Sequence, residues 1–187
     1  MAFKKRSEKI YDQESLYEYA VGALGRKMRT VAELKRLMRT RVMRQPNGDE
    51  LIETVVARLK DQRYLNDTSY AATYSSYRQQ NEKFGRIRVV QDLKAKGVHG
   101  DVIDKAVTAA YSGVSEEKLA REFLQRKRLR KPEDQKQAAR IFRTMARAGF
   151  TTRTITSILR KWDVDDETVS LLEQERDETE TRGGEEL

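Results

Sequence analysis

The sequence predicts an all-α protein of three tandem three-helix repeats of roughly 50 residues each, forming an elongated, curved array. Three observations lead there. Apolar residues recur at helical spacings and never alternate as in strands, and the 187 residues include only two prolines, Pro46 and Pro132. Apolar content of 37% against 36% charged residues suits thin helical layers that each bury one face. Apolar rows also recur in the same order. Leu34/Met38 match Val89/Leu93 and Ile141/Met145, and Ile52/Val55/Val56 match Ile103/Ala106/Val107 and Ile155/Ile158/Leu159. Ala20, Ala71 and Ala120 correspond in the first helices, and Val42, Gly97 and Gly149 stand where the second helices stop.

In chain order, residues 1–13 read as a flexible arm. The first repeat spans 14–65. Its first helix covers Glu14 to Leu24, with Leu16, Ala20, Ala23 and Leu24 inward. Thr30-Val31-Ala32-Glu33 fits a capping box and opens the second helix, which buries Leu34, Leu37 and Met38. After the loop Gln45–Gly48, a third helix starts near the acids Asp49 and Glu50 and carries Ile52, Val55, Val56 and Leu59.

The second repeat, 66–114, opens with Asp67 as the expected cap of a helix from Thr68 to Gln80 containing Tyr70, Ala71, Tyr74 and Tyr77. Val89 and Leu93 share a face of its second helix, and Gly97 ends that helix in a left-handed cap. Asp101 begins its third. In the third repeat, 115–162, Leu119, Ala120, Phe123 and Leu124 face inward, and Pro132 is expected at a first helical position followed by Glu133 and Asp134. Ile141, Phe142 and Met145 continue the core, Gly149 stops the helix, and Thr151 or Thr152 starts the last one, with Ile155, Ile158, Leu159 and Trp162. Residues 163–187 form an acidic tail, in part helical, whose composition favours solvation; the alternative is that its charge folds back on the basic body and screens it.

Charge is unevenly distributed. The tail holds 11 acids and 2 bases, net −9, whereas the first 162 residues hold 36 bases and 19 acids, net +17. Such a body suits a polyanion or an acidic protein surface, or simply solvates its helix faces. The basic residues gather around the second helices: Arg26, Arg29, Lys35 and Arg36; Arg86, Arg88, Lys94 and Lys96; and Arg140, Arg143 and Arg147. The densest run is Arg126, Lys127, Arg128, Arg130 and Lys131. These sixteen are the candidate contacts. Tyr70, Tyr74 and Tyr77 sit at helical spacing, which fits core packing or, alternatively, base stacking.

Catalytic and metal chemistry find no support. The chain has no cysteine and one histidine, His99, beside Gly100 in a turn. Neither a phosphate-binding glycine loop nor a nucleophile elbow is present, and the adjacent acid pairs Glu116-Glu117 and Asp165-Asp166 diverge around a helix. No enzyme activity, cofactor or metal is expected. MAFKKRSEKIYDQ lacks the apolar run of a secretory signal, and nothing approaches the about 20 apolar residues of a membrane span. A soluble, cytoplasmic monomer is the expectation.

Several stretches together resemble the bacterial RecX regulatory proteins. They are Tyr64-Leu65-Asn66-Asp67 with Tyr70-Ala71, Gly85-Arg86-Ile87, and Leu93-Lys94-Ala95-Lys96-Gly97-Val98. Leu24 to Met38, with Arg29, Thr30, Glu33 and Leu34, is similar to that family's first unit, and Phe142 to Phe150 to its last. The resemblance covers about residues 14–162; Val42-Met43 departs from it, where the family carries glycine and an apolar residue. It implies a modulator of the recombinase RecA. Such proteins lie in the groove of the RecA–DNA filament and inhibit its ATPase, strand exchange and SOS induction. The alternative from the residues alone is a general basic helical DNA-binding protein, contacting single or double strands mainly through phosphates, or a helix-turn-helix transcription regulator built on the Gly97–Gly100 turn.

Overall fold

The computed structural model describes the backbone of residues 10–184 and the side chains of residues 10–176. Within that span the chain is all-α. Its helices are α1 Gln13–Arg26, α2 Val31–Val42, α3 Gly48–Asp61, α4 Asp67–Gln80, α5 Arg86–Ala95, α6 Gly100–Tyr111, α7 Glu116–Arg126, α8 Gln135–Arg147, α9 Thr152–Lys161 and α10 Asp166–Gly184. The chain divides into two compact units. The first comprises residues up to Ala71 with Leu93–Ile103, and the second Ala72–Asp92 with the residues from Asp104 on.

In the first unit, Leu16, Ala20 and Ala23 of α1 pack with Leu34, Met38 and Val42 of α2 and Ile52, Val55, Val56 and Leu59 of α3. The spacings of three and four put each set on one helix face, and each fully buried large side chain contributes about 1.5–3 kcal/mol. The caps define the ends. Asp12 and Ser15 form a reciprocal capping box, so α1 begins at Gln13 rather than Glu14. Thr30 and Glu33 form the box that the sequence announces for α2.

Asp67 has a different role from the one expected. Asn66 Oδ1 accepts the Ser69 N–H at 3.0 Å and so caps α4, while Asp67 Oδ1 accepts the Val31 N–H at 2.8 Å and caps α2. An aspartate at the start of one helix thus satisfies a free N–H at the start of another. For the arm expected over residues 1–13, residues 1–9 lie outside the described ones. Tyr11 is tied down, its N–H donating to Gln45 Oε1 and its carbonyl accepting from Gln45 Nε2, both at 2.8 Å.

The second unit has its own core, drawn from Leu119, Ala120, Phe123 and Leu124 of α7, Ile141, Phe142 and Met145 of α8, and Ile155, Ile158 and Leu159 of α9. Phe150 is fully buried, its ring 5.4 Å from that of Phe123 in edge-on contact. Pro132 does not open α8. It is buried in the loop, and Asp134 is the cap, accepting the Gln137 N–H at 2.6 Å. A side-chain oxygen in hand at residue 134 outcompetes the mere tolerance of proline at a helix start. The acidic segment also departs from its composition: α10 carries Val169 and Leu172 into this same core. Two apolar residues three apart suffice to dock the first turns of a helix whose average character is strongly polar.

Candidate polyanion-binding surface

α8 is strongly two-sided. Ala138, Ile141, Phe142 and Met145 are buried, while Lys136, Arg140, Arg143 and Arg147 are exposed. The cations are spaced four, three and four apart, so they lie along one outward face. Arg140 and Arg147 make no ion pair among the described residues, whereas Arg143 stands 3.8 Å from Glu175.

The C-terminal end of α8 meets the beginning of α5. Gly85 N–H donates to the Ala148 carbonyl at 2.8 Å and Ile87 N–H to the Gly149 carbonyl at 3.3 Å. Free carbonyls at a helix end and free amides at a helix start satisfy each other, with opposed partial charges facing. The approach requires glycine. Gly149 has φ +87°, and a Cβ there would stand 2.2 Å from the Arg88 nitrogen; one on Gly85 would stand 2.1 Å from the Gly149 oxygen. This junction brings Arg86 and Arg88 to the end of α8 that bears Arg147.

Arg88 is not a loose cation. Its Nε pairs with Asp92 at 2.9 Å, and Asp92 also accepts the Tyr74 hydroxyl at 2.9 Å, with Arg78 3.6 Å away. Burial, and after it the bond to Asp92, pushes the Tyr74 phenol above its ordinary range. Arg86 Nη2 donates to Thr108 Oγ1 at 3.1 Å. Tyr74 is therefore structural and Tyr70 is buried; of the three tyrosines, Tyr77 alone, 54% exposed, offers a free face for stacking.

The run from Arg126 to Lys131 does not assemble into one patch. Arg126 donates to the Asn81 carbonyl, Lys127 lies 5.9 Å from the Phe123 ring, and Lys131 pairs with Asp163 at 2.6 Å. Arg128, at φ +55°, and Arg130 are exposed in the turn after α7. Density in sequence fails to become density in space because successive residues leave a turn in different directions.

In the first unit two of the expected contacts, Lys35 and Lys96, are held in ion pairs. Thr30 is fully buried, and its hydroxyl donates to the Lys96 carbonyl at 2.7 Å while accepting the Glu33 N–H at 3.0 Å. Lys96 Nζ pairs with Glu33 at 2.9 Å, both side chains being less than a quarter exposed. Gly97, at φ +74°, lies against Ala32, whose Cβ is 2.5 Å from where a glycine Cβ would be. Lys35 pairs with Glu53 at 2.6 Å. Arg29 is half-buried, its Nε enclosed without a hydrogen bond among the described residues. Arg26, Arg36 and Lys94 are exposed.

Lys136 belongs to the α8 face and lies outside the expected contacts, although its spacing to Arg140 carries the signal. Arg153, Arg160 and Lys161 lie outside the expected contacts; with Glu173 they line an open groove of about 780 Å³ along α9. α6, the helix a helix-turn-helix reader would use, exposes Asp101 and Asp104 beside Lys105, a poor complement to phosphates. Among the described residues no cluster of three or more acids or histidines could hold a metal, and no helix is long and apolar enough to cross a membrane.

Comparison with known proteins adds to this geometry. A family model described as "RecX, second three-helix domain" matches residues 66–107. The regulatory protein RecX of Bacillus velezensis is 31% identical over 98 residues, which cover 52% of this chain and 36% of that relative. The regulatory protein RecX of Myxococcus xanthus is 31% identical over 163 residues, covering 79% of this chain and 84% of that relative. The crystal structure of RecX from Lactobacillus salivarius superposes with a TM-score of 0.61 at 19% identity, covering 81% of this chain and 96% of that one, a likeness of fold.

Proposed function

The chain belongs to the RecX family of regulatory proteins, and on that premise we propose that it binds the RecA–DNA filament in its groove and restrains RecA's ATP hydrolysis, strand exchange and SOS induction. It acts in the cytoplasm by occupancy, not catalysis. The observation that carries the reading is the outward face of α8, where Arg140 and Arg147 stand exposed and unpaired among the described residues, flanked by Lys136 and Arg143. Arg86 and Arg88, at the α5 start that meets α8, extend the same cationic surface. Cations spaced along one helix face attract a phosphate backbone without reading its sequence, and acidic patches of a recombinase by the same Coulombic term.

The test is single-strand-dependent ATP hydrolysis by the cognate RecA, with this protein titrated in and binding to bare single-stranded DNA followed in parallel. Inhibition well below the concentration that coats the DNA is expected. Inhibition only at DNA saturation would mean competition for the strand, the behaviour of a general DNA binder. Reversing Arg140 and Arg147 to Glu should raise the inhibitory concentration about tenfold or more at low salt, with helicity unchanged. These two are cleaner probes than Arg88, whose reversal would set a second carboxylate against Asp92.

A further inference from the structure

α10 is acidic in composition and yet docked. Asp165 accepts the Thr168 N–H at 2.7 Å and the Thr168 hydroxyl at 2.9 Å, which starts the helix firmly and holds the Asp165 carboxyl below its ordinary range. Thr168, Val169 and Leu172 are buried, and Arg176 donates to the Phe150 carbonyl at 3.3 Å. The segment from Asp165 to Arg176 is thereby anchored at both ends.

The anchored segment and the turn before it bring acids to bases on three other elements. Asp163 pairs with Lys131 in the α7–α8 loop at 2.6 Å, Asp166 with Arg160 of α9 at 3.0 Å, and Glu175 approaches Arg143 of α8 at 3.8 Å. Glu173 lines the α9 groove beside Arg153, Arg160 and Lys161. In these pairs the basic side chains are 55%, 50% and 58% exposed, so each pair is individually weak and screened by salt. Weak, solvated pairs supported by a buried apolar anchor contribute little to folding. They do occupy cations that would otherwise face an incoming anion.

We propose that α10 is a tethered competitor. Together with the turn that leads into it, it presents carboxylates to Lys131, Arg143 and Arg160 that a denser polyanion, the phosphate backbone of a nucleic acid, displaces on binding. The proposal rests on the polyanion reading of the α8 face. Arg140 and Arg147, unpaired among the described residues, make the first contacts, and exchange at the three pairs follows while Val169 and Leu172 stay buried. Isolated carboxylates of other proteins cannot outcompete a local set of acids, so the device filters ligands by charge density.

The full-length triple variant D163N/D166N/E175Q removes the competing charges and leaves the anchor intact. Its affinity for a fluorescently labelled oligo-dT strand is compared with wild type by anisotropy at low and at high salt. A second triple, E18Q/D61N/D104N, makes the same change in net charge at acids that make no ion pair among the described residues. The α10 triple is expected to bind roughly 3- to 10-fold tighter at low salt, with the gain fading as salt rises and the control gaining clearly less. An equal gain in the control, or none in the α10 triple while wild type still binds, overturns the competitor and leaves the polyanion reading standing. No binding by any of the three proteins at low salt overturns both.

Discussion

Each unit contains a place where the end of one second-position helix meets the end of another, and the two are sealed by different chemistry. In the first unit the start of α2 meets the end of α5 through side chains: the Thr30 hydroxyl on the Lys96 carbonyl, the Glu33–Lys96 pair, and Asp67 on the Val31 amide. In the second unit the end of α8 meets the start of α5 through backbone alone, Gly85 and Ile87 donating to Ala148 and Gly149. A side-chain seal divides its energy among several modest terms, each removable by itself. A backbone seal concentrates it in a close approach that one extra carbon destroys.

The largest effect should therefore come from the second junction. Gly149→Ala meets a strained φ of +87° and a backbone nitrogen 2.2 Å from the new Cβ. It should cost about 3 kcal/mol or more of unfolding free energy, measured by urea denaturation. Gly85→Ala has no left-handed strain but the same backbone obstacle, and should fall slightly below it. The corresponding glycine of the first junction, Gly97, faces the Ala32 methyl instead of backbone. The double change Gly97→Ala with Ala32→Gly should recover part of the clash, whereas no neighbouring side chain can be trimmed to rescue Gly149.

Next in size is Thr30→Val, which keeps the shape and removes the hydroxyl. It leaves the Lys96 carbonyl and the Glu33 amide without their partner in a fully buried place, at a cost of about 2 kcal/mol by the same denaturation. Thr30→Ser should restore most of it. A Thr30→Val protein as stable as wild type would mean that water takes over both groups and the seal is redundant.

Much of this architecture was legible in the chain. The buried rows Leu34/Met38, Val55/Val56, Ile141/Met145 and Ile158/Leu159 were readable because helical period alone decides which side of a helix is inward. The Thr30–Glu33 box was readable because capping is local in sequence. Asp67 was misassigned because its acceptor serves an amide 36 residues away, and no local pattern reports a distant partner. Charge alone suggests that the tail can fold back, but the apolar anchoring of α10 is not legible, because average composition outvotes Val169 and Leu172, two residues that matter only once a core exists beside them. Among the candidate contacts, sequence identified basic residues but not their occupations. Lys96, Lys35, Arg88 and Lys131 are held by acids, while Arg140 and Arg147 have no acid partner among the described residues. That division depends on which carboxylates the fold brings near, a tertiary property.

The smallest effect separates the two junctions by pH. Burial raises the Glu33 carboxyl, but the bond from Lys96, the Thr30 amide and the nearby charge of Lys96 and Lys27 outweigh it, leaving the group below its ordinary value of 4.5. A depressed folded value means that the unfolded chain binds the proton more readily. The stability from this carboxylate is thus present above pH 4.5 and is lost as the pH falls from there through the lower folded value. Glu33→Gln keeps an oxygen for the Thr30 amide and removes only the charge facing Lys96. At neutral pH it should cost about 0.5–1 kcal/mol, as partly exposed ion pairs do. The gap between variant and wild type should then close on acidification, although other carboxylates also titrate, because both chains share those. The backbone junction has no titrating group, so the wild-type increment over Gly85→Ala should stay constant through the same range. A Glu33→Gln gap that persists well below pH 4.5 would show that shape, not charge, makes the contribution at this position, and that the two seals differ less in kind than their atoms suggest.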